Sequence, residues 1–86
     1  MVLKQLTVEV PEQILLAEKM TEQTFAKEMR MLSAVKLYEL GRLSSGRAAE
    51  LASVPRVEFL LTLGRYQVFP LAAELSDLEV EYAKRN

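Results

Sequence analysis

The side chains in this sequence that could do chemistry are arginines, carboxylates and tyrosines, because the chain contains no cysteine and no histidine. Zinc sites and thiol nucleophiles need those two residue types, and imidazole is the usual proton carrier in catalysis. The sequence therefore predicts no metal, no cofactor and no catalytic residue. One enzymatic arrangement remains, Glu50 or Glu58 acting with Tyr66, but nothing places a nucleophile or cofactor beside them. A non-enzymatic function is favoured.

The arginines are concentrated in the middle of the chain. The net charge of the 86 residues is −1, but residues 30–66 carry six basic and three acidic side chains, a balance of +3. The segments on either side, residues 1–29 and 67–86, each balance to −2. Five of the six central cations are arginines, whose planar guanidinium group binds phosphate and guanine through paired hydrogen bonds. The pattern indicates a candidate nucleic-acid surface, although arginine also serves simply to solubilise helices.

Residues 3–10 alternate in part between apolar and polar side chains, which is typical of a half-buried strand. Leu6, Val8 and Val10 share one face, and Pro11 ends the segment. Because a lone strand needs a partner for its backbone groups, we expect it to pair with the same strand of a second protomer. The polar side chains of such a ribbon can also enter the major groove of DNA. They are Lys4, Gln5, Thr7 and Glu9. We favour an ordinary dimer or edge strand, because Glu9 is a poor neighbour for phosphate.

Two helices are predicted after this strand. A short one covers residues 12–20, and a longer one begins at its capping residue Thr21 and closes at Gly41. The longer helix is apolar on too many sides for a single packing partner. It is either the central helix of a small core or a dimer interface, in which Met29 and Leu32 would contact the second copy. A chain this short buries little surface alone, so a homodimer or higher homo-oligomer is expected.

Residues 44–66 have the pattern of a helix-turn-helix. Ser44 or Ser45 can cap a first short helix, the string Ser-Val-Pro at residues 53–55 makes the turn, and a second helix follows. A tight crossing of the two helices needs small or apolar side chains at set positions. Those positions hold Ala49, Ser53, Val54 and Phe59. The turn position prefers glycine for backbone reasons, so Ser53 is a modest departure.

The candidate DNA-contacting residues surround this motif. Arg56 lies at the start of the second helix, where base and phosphate contacts are made in such motifs. Ser45 and Arg47 lie near the start of the first helix, and Arg42 and Arg65 flank the motif. These five residues form the predicted DNA-binding set.

Leu60 and Leu61 follow on the second helix, where a DNA-reading helix usually carries polar side chains. Leucines pack in cores and interfaces and read bases poorly. Two functions therefore stay open for the motif: DNA binding, or a protein-interaction module that uses the same shape as a scaffold without DNA. A clustered arginine surface would favour the first, and burial of Leu60 together with Arg56 in an oligomer interface would favour the second.

A family resemblance rests on the strings AVKLYELGRLSSGRAAELA at residues 34–52, RVEFL at 56–60 and LGRY at 63–66. Over about residues 29–68 the chain resembles uncharacterised protein family 0175, a family of small prokaryotic proteins. The resemblance implies a helix-turn-helix protein that is the antitoxin partner of a PIN-domain ribonuclease toxin. It also implies that Arg47, Arg56 and Arg65 face nucleic acid. The acidic tail would then hold the toxin, or else form a solvated terminal helix. The tail residues assigned to toxin binding are Glu74, Leu78 and Tyr82.

The sequence thus predicts a mainly α fold, a small helical domain with a central helix-turn-helix and a short N-terminal β-strand. Residues 1–86 form a single domain, with a dimerisation arm at 1–10, a helical core at 21–66 and a tail at 70–86. The favoured function is a homodimeric transcriptional regulator of the antitoxin type that binds double-stranded DNA. No apolar run reaches the roughly 20 residues needed to cross a bilayer, and the start lacks the features of a signal peptide. A cytoplasmic location without membrane contact is therefore expected, and the lack of cysteine fits a reducing compartment.

Overall fold

The computed structural model describes residues 2–70 and residue 74. Within them the chain forms four α-helices and one 3-10 helix. They are α1 (Glu12–Glu18), α2 (Glu22–Glu39), α3 (Ser45–Ala52), α4 (Arg56–Thr62) and the 3-10 helix Leu63–Tyr66. The mainly α fold class is confirmed. In this part of the chain, no helix is long and apolar enough to pass through a bilayer.

The N-terminal arm, residues 2–10, has no regular secondary structure. The prediction of a strand over residues 3–10 is therefore wrong. A strand exists only by pairing with another, and within the described residues no backbone group of the arm bonds to another backbone group. The alternation of side chains is present in the sequence, but residues 2–70 and 74 contain no strand edge on which the arm could pair.

Side-chain caps fix where two of the helices begin. The Thr21 hydroxyl accepts a hydrogen bond from the Thr24 N–H at 3.1 Å, and the Ser44 hydroxyl accepts one from the Arg47 N–H at 3.2 Å. Each bond satisfies one of the N–H groups that a helix start leaves without an intrahelical partner. Thr21 is thus confirmed as the cap of α2, and of the two candidate serines it is Ser44 that caps α3.

Residues with left-handed backbone conformation follow α1, α2, α3 and the 3-10 helix. Positive φ angles occur at Lys19 (56°), Gly41 (76°), Ser53 (59°) and Gln67 (58°). At each of these turns the next residue bonds back across the helix end, as the Val54 N–H does to the Ala49 carbonyl at 3.0 Å. The closure of α2 at Gly41 is as predicted. The other three positions use residues with side chains in a region of φ that favours glycine.

The hydrophobic core begins at Ala34 and is built from the second half of α2, from α3 and α4, and from the residues that follow. Its buried apolar side chains are Ala34, Val35, Tyr38, Ala48, Ala49, Val57, Phe59, Leu60, Leu63 and Val68. The rings of Tyr38 and Phe59 meet edge to face, with their centroids 5.8 Å apart. The alanines of α3 let that helix approach closely. This core holds the helix-turn-helix in shape.

No side chain between residues 2 and 33 is buried. This N-terminal part contains the arm, α1 and α2 as far as residue 33, and it is rich in large apolar residues. Those that are exposed are Val2, Leu3, Leu6, Val8, Ile14, Leu16 and Leu32. These seven large apolar side chains are at least 45% exposed to solvent. Among the described residues, the N-terminal part therefore lacks a core of its own.

Candidate nucleic-acid interface

Two short helices, α3 and α4, are joined by a turn at residues 53–55. Three of the four positions predicted to allow a tight crossing pack as expected, since Ala49 is 3% exposed, Phe59 is fully buried and Val54 is half-buried against the core. Ser53 occupies the left-handed turn position with a φ of 59°. The helix-turn-helix shape is therefore present in the described chain, and the serine performs the backbone task that glycine usually performs.

The two leucines of α4 point in different directions. Leu60 is 2% exposed and belongs to the core of its own chain, whereas Leu61 is 53% exposed. The burial of Leu60 therefore reflects internal packing and gives no sign of an oligomer interface. The solvent side of α4 therefore carries Glu58 and Leu61, whereas Leu60 is not on this side.

Arg56 is anchored at the start of α4. Its Nε–H donates a hydrogen bond to the Ser45 hydroxyl at 2.9 Å, which joins the start of α4 to the first residue of α3. Ser45 is 2% exposed, so this hydroxyl cannot reach a nucleic acid and instead positions the guanidinium group. The side chain of Arg56 itself is 32% exposed. Of these two predicted contact residues, only Arg56 is accessible.

Three further arginines of the predicted set, Arg42, Arg47 and Arg65, are exposed. They lie in the loop before α3, in the first turn of α3 and in the 3-10 helix after α4. Among residues 2–70 and 74, their side chains make no hydrogen bond and no ion pair. Their charges are therefore available to an anionic ligand.

The other two cations of the central segment have internal partners. The Arg30 Nε–H donates to the Leu51 carbonyl at 2.8 Å, which satisfies a carbonyl at the end of α3. Lys36 pairs with Glu39 at 2.7 Å on the surface of α2. Counting charges along the sequence did not separate these two from the available arginines. For Arg30 no local signal existed, because its partner lies 21 residues away.

Glu74 lies against the helix-turn-helix. The Tyr38 hydroxyl donates a hydrogen bond to Glu74 Oε2, and Glu74 Oε1 lies 3.9 Å from Arg56 Nη2. The Glu74 side chain is only 14% exposed. Sequence reasoning assigned Glu74 to toxin binding and gave Tyr38 no role beyond packing, since the two are 36 residues apart. The other residues of the toxin-binding prediction, Leu78 and Tyr82, lie outside the described residues.

The residues predicted for the dimer interface all belong to the N-terminal part, and three of them line one cleft. Leu6, Val8 and Leu32 are 85%, 59% and 45% exposed, and Val10 and Met29 are half-buried. The cleft lies between the arm, α1 and α2. Its lining residues are Val8, Val10, Leu15, Glu22, Phe25, Ala26 and Met29. Among the described residues nothing covers Leu6, Val8 or Leu32.

Comparison with known proteins agrees with the family resemblance that was drawn from the strings at residues 34–52, 56–60 and 63–66. The model of the Uncharacterised protein family (UPF0175) matches residues 1–85. The chain belongs to this family. A UPF0175 protein of Archaeoglobus fulgidus is 40% identical over 58 residues, which cover 67% of this chain and 66% of that relative. The chain thus matches about two thirds of the length of its UPF0175 relative. No solved structure matches the chain significantly.

Proposed function

We propose that this UPF0175 protein is a DNA-binding transcriptional regulator of the antitoxin type that acts as a homodimer. The observation that carries the proposal is a set of exposed arginines on and beside a helix-turn-helix, Arg42, Arg47 and Arg65, which have no partner among residues 2–70 and 74. Arginine contacts to phosphates supply most of the sequence-independent affinity of such proteins for DNA. They also fix the register of the motif on the duplex.

The reading of base sequence falls to the exposed side of α4. Arg56, held by Ser45, is the donor that can pair with the acceptors of guanine. Glu58, two residues further along α4, is exposed, and its carboxylate can accept a hydrogen bond from cytosine. With so few polar groups on this face, we expect modest sequence discrimination and a large phosphate contribution.

The homodimer is supported by the N-terminal part. Its exposed apolar residues join no core within the part of the chain that the structure describes, and an 86-residue protein buries a smaller fraction of its surface than a larger one. A second copy covers this surface with its own equivalent, as a two-fold interface requires. The interface would centre on Leu6, Val8, Val10, Met29 and Leu32.

The remaining parts of the proposal come from the family resemblance. It assigns a PIN-domain ribonuclease toxin as partner of the tail, with Leu78 and Tyr82 among the contacting residues. A cytoplasmic location is part of the same proposal, since both DNA and such a toxin are found there. No catalytic role is proposed for any residue.

A protein-interaction module without DNA binding is the second candidate. The observation in its favour is Leu61, an exposed leucine on the outer side of α4. Such a side chain is suited to an apolar pocket of a protein partner. The two candidates differ in what the arginines do, since a protein-interaction module requires no contact with phosphate.

The test is titration of the purified protein with a fragment of its own promoter and with random DNA. We expect tighter binding to the promoter, and a loss of about five- to tenfold in affinity for Arg47→Ala, because one phosphate contact per copy disappears. Lys27→Ala is the matched control, as it removes an exposed positive charge from α2 outside the motif. Its affinity should stay within about twofold of the wild type.

Two results would count against this function. Equal losses for Arg47→Ala and Lys27→Ala would show a general effect of charge rather than a site. Failure of the folded wild-type protein to bind either DNA would favour the protein-interaction module, and the search would turn to a protein that contacts Leu61.

A further inference from the structure

We infer that the chain's own Glu74 carboxylate, held by the Tyr38 hydroxyl, partly neutralises Arg56 and so competes with a DNA phosphate for that guanidinium group. Glu74 would thereby restrain DNA binding at the start of α4. The inference rests on the proposed function, because it concerns the same arginine. It goes further in giving the chain an internal ligand for its own DNA-binding surface.

The geometry holds the two charged groups from opposite sides. Ser45 accepts the Nε–H of Arg56 at 2.9 Å, which fixes the plane of the guanidinium group. Tyr38 donates its hydroxyl to one oxygen of Glu74. The other oxygen of Glu74 lies 3.9 Å from Arg56 Nη2. The carboxylate is therefore positioned by the tyrosine so that it lies beside, rather than directly on, the arginine.

Burial makes this arrangement more than a surface ion pair. Tyr38 is 7% exposed and Ser45 is 2% exposed, so both hydroxyls belong to the edge of the core. The Glu74 side chain is 14% exposed, whereas the Arg56 side chain is 32% exposed. The guanidinium group is thus partly accessible to solvent, and the less exposed carboxylate beside it offsets part of its positive charge. A phosphate that reaches Arg56 meets a partly neutralised guanidinium group.

A DNA phosphate can bind the same guanidinium group that Glu74 approaches. Carboxylate and phosphate oxygens are bound by the same fork of guanidinium N–H groups, at roughly 2.7–2.9 Å when the pair is well formed. The distance of 3.9 Å from Arg56 Nη2 to Glu74 Oε1 is longer than that, so this contact is not a well-formed charge-assisted hydrogen bond. The two contacts of Arg56 are thermodynamically coupled. If Glu74 lowers the affinity of Arg56 for phosphate by some factor, a bound phosphate lowers the affinity of Arg56 for Glu74 by the same factor.

The test compares DNA affinity for the wild type and for Glu74→Gln, which keeps the shape of the side chain and removes its charge. We expect Glu74→Gln to bind the promoter fragment about three- to tenfold more tightly, since the screening charge beside Arg56 is lost. Glu18→Gln is the matched control, because it makes the same change of net charge at an exposed residue at the end of α1. It should bind within about twofold of the wild type.

Tyr38→Phe provides a second variant that keeps the buried ring against Phe59 and removes only the donor to Glu74. We expect it to shift DNA affinity in the same direction as Glu74→Gln. The ¹⁵N–¹H signal of the Arg56 Nε–H gives a reading without DNA. It should move in Glu74→Gln and stay in place in Glu18→Gln, while both variants retain a cooperative thermal transition.

The outcomes separate this inference from the proposed function. If the wild type binds the promoter and Glu74→Gln binds it equally well, the contacts of Glu74 with Tyr38 and Arg56 do not affect DNA binding and the inference is wrong. An unmoved Arg56 signal in Glu74→Gln leads to the same conclusion. If neither the wild type nor any variant binds DNA, the proposed function fails as well.

Discussion

Ser53 illustrates how a single residue sets the geometry of the helix-turn-helix. Its φ of 59° lets the chain leave α3 and turn into α4, and the Val54 N–H then bonds to the Ala49 carbonyl. For a residue with a side chain, the left-handed conformation costs about 1–2 kcal/mol relative to glycine. The left-handed conformation of Ser53 is therefore a local conformational strain, and a substitution at this position could remove it.

Substitution of Ser53 by glycine should stabilise the protein. The relief of the left-handed conformation is partly offset by the greater freedom of glycine in the unfolded chain, which leaves a gain of about 0.5–1 kcal/mol. The measurement is the thermal or denaturant midpoint of Ser53→Gly against the wild type. Ser53→Val is the contrasting variant, because a β-branched side chain tolerates positive φ poorly. A lower midpoint for Ser53→Gly would contradict this account of the turn.

At the scale of elements, the sequence patterns predicted the helices well because their signals are local. Ser44 and Thr21 are capping residues in the right places, and Gly41 marks the end of α2. Contacts between distant residues were beyond such reasoning. Neither the bond from Arg30 to α3 nor the approach of Glu74 to Tyr38 leaves a trace in spacing or composition.

The candidate site was predictable to the same extent. The arginines of the motif could be identified by their position relative to the turn, but their accessibility depends on packing. Ser45 was expected to contact DNA and is instead buried beneath Arg56. The arm was misassigned for a related reason, because alternation specifies a face and cannot supply the neighbouring strand that a sheet needs.

Arg30 should contribute to stability by joining α2 to α3. Its removal leaves the Leu51 carbonyl at the end of α3 without this donor, and we expect Arg30→Ala to lower the free energy of unfolding by about 1 kcal/mol. Lys27→Ala is the control, one turn earlier on α2 and exposed. Denaturant titration of both variants checks the expectation. If the two variants unfold at the same denaturant concentration, the hydrogen bond from Arg30 to Leu51 does not contribute to the free energy of unfolding.

At the scale of the whole molecule, the chain has two parts of different character. Residues 34–70 contain every buried apolar side chain of the described chain and carry the arginines of the motif, whereas residues 2–33 contain no buried side chain. The first part is folded around its own core, and the second is completed by a second copy under our proposal. Pairing two motifs in this way also gives a symmetric protein suited to repeated half-sites on DNA.

Leu6→Asp should weaken the dimer. A charge placed in an apolar interface loses its hydration, and we expect the dissociation constant of the dimer to rise at least about 100-fold. Leu61→Asp is the control, since Leu61 is also exposed but lies on α4, outside the proposed interface. Light scattering coupled to size-exclusion chromatography gives the mass of each variant. A wild-type protein that is monomeric at tens of micromolar, or a dimer that survives Leu6→Asp unchanged, would show that the N-terminal part is not the interface.

The most direct test of the central claim is the salt dependence of DNA affinity. If each copy of a dimer places Arg42, Arg47 and Arg65 on phosphates, the logarithm of the association constant falls with the logarithm of salt concentration with a slope of about −5. Arg47→Ala removes one contact per copy and should make that slope shallower by about 2 units, whereas Lys27→Ala should leave it unchanged. A slope near zero, or one that Arg47→Ala and Lys27→Ala change equally, would contradict the assignment of this surface to DNA.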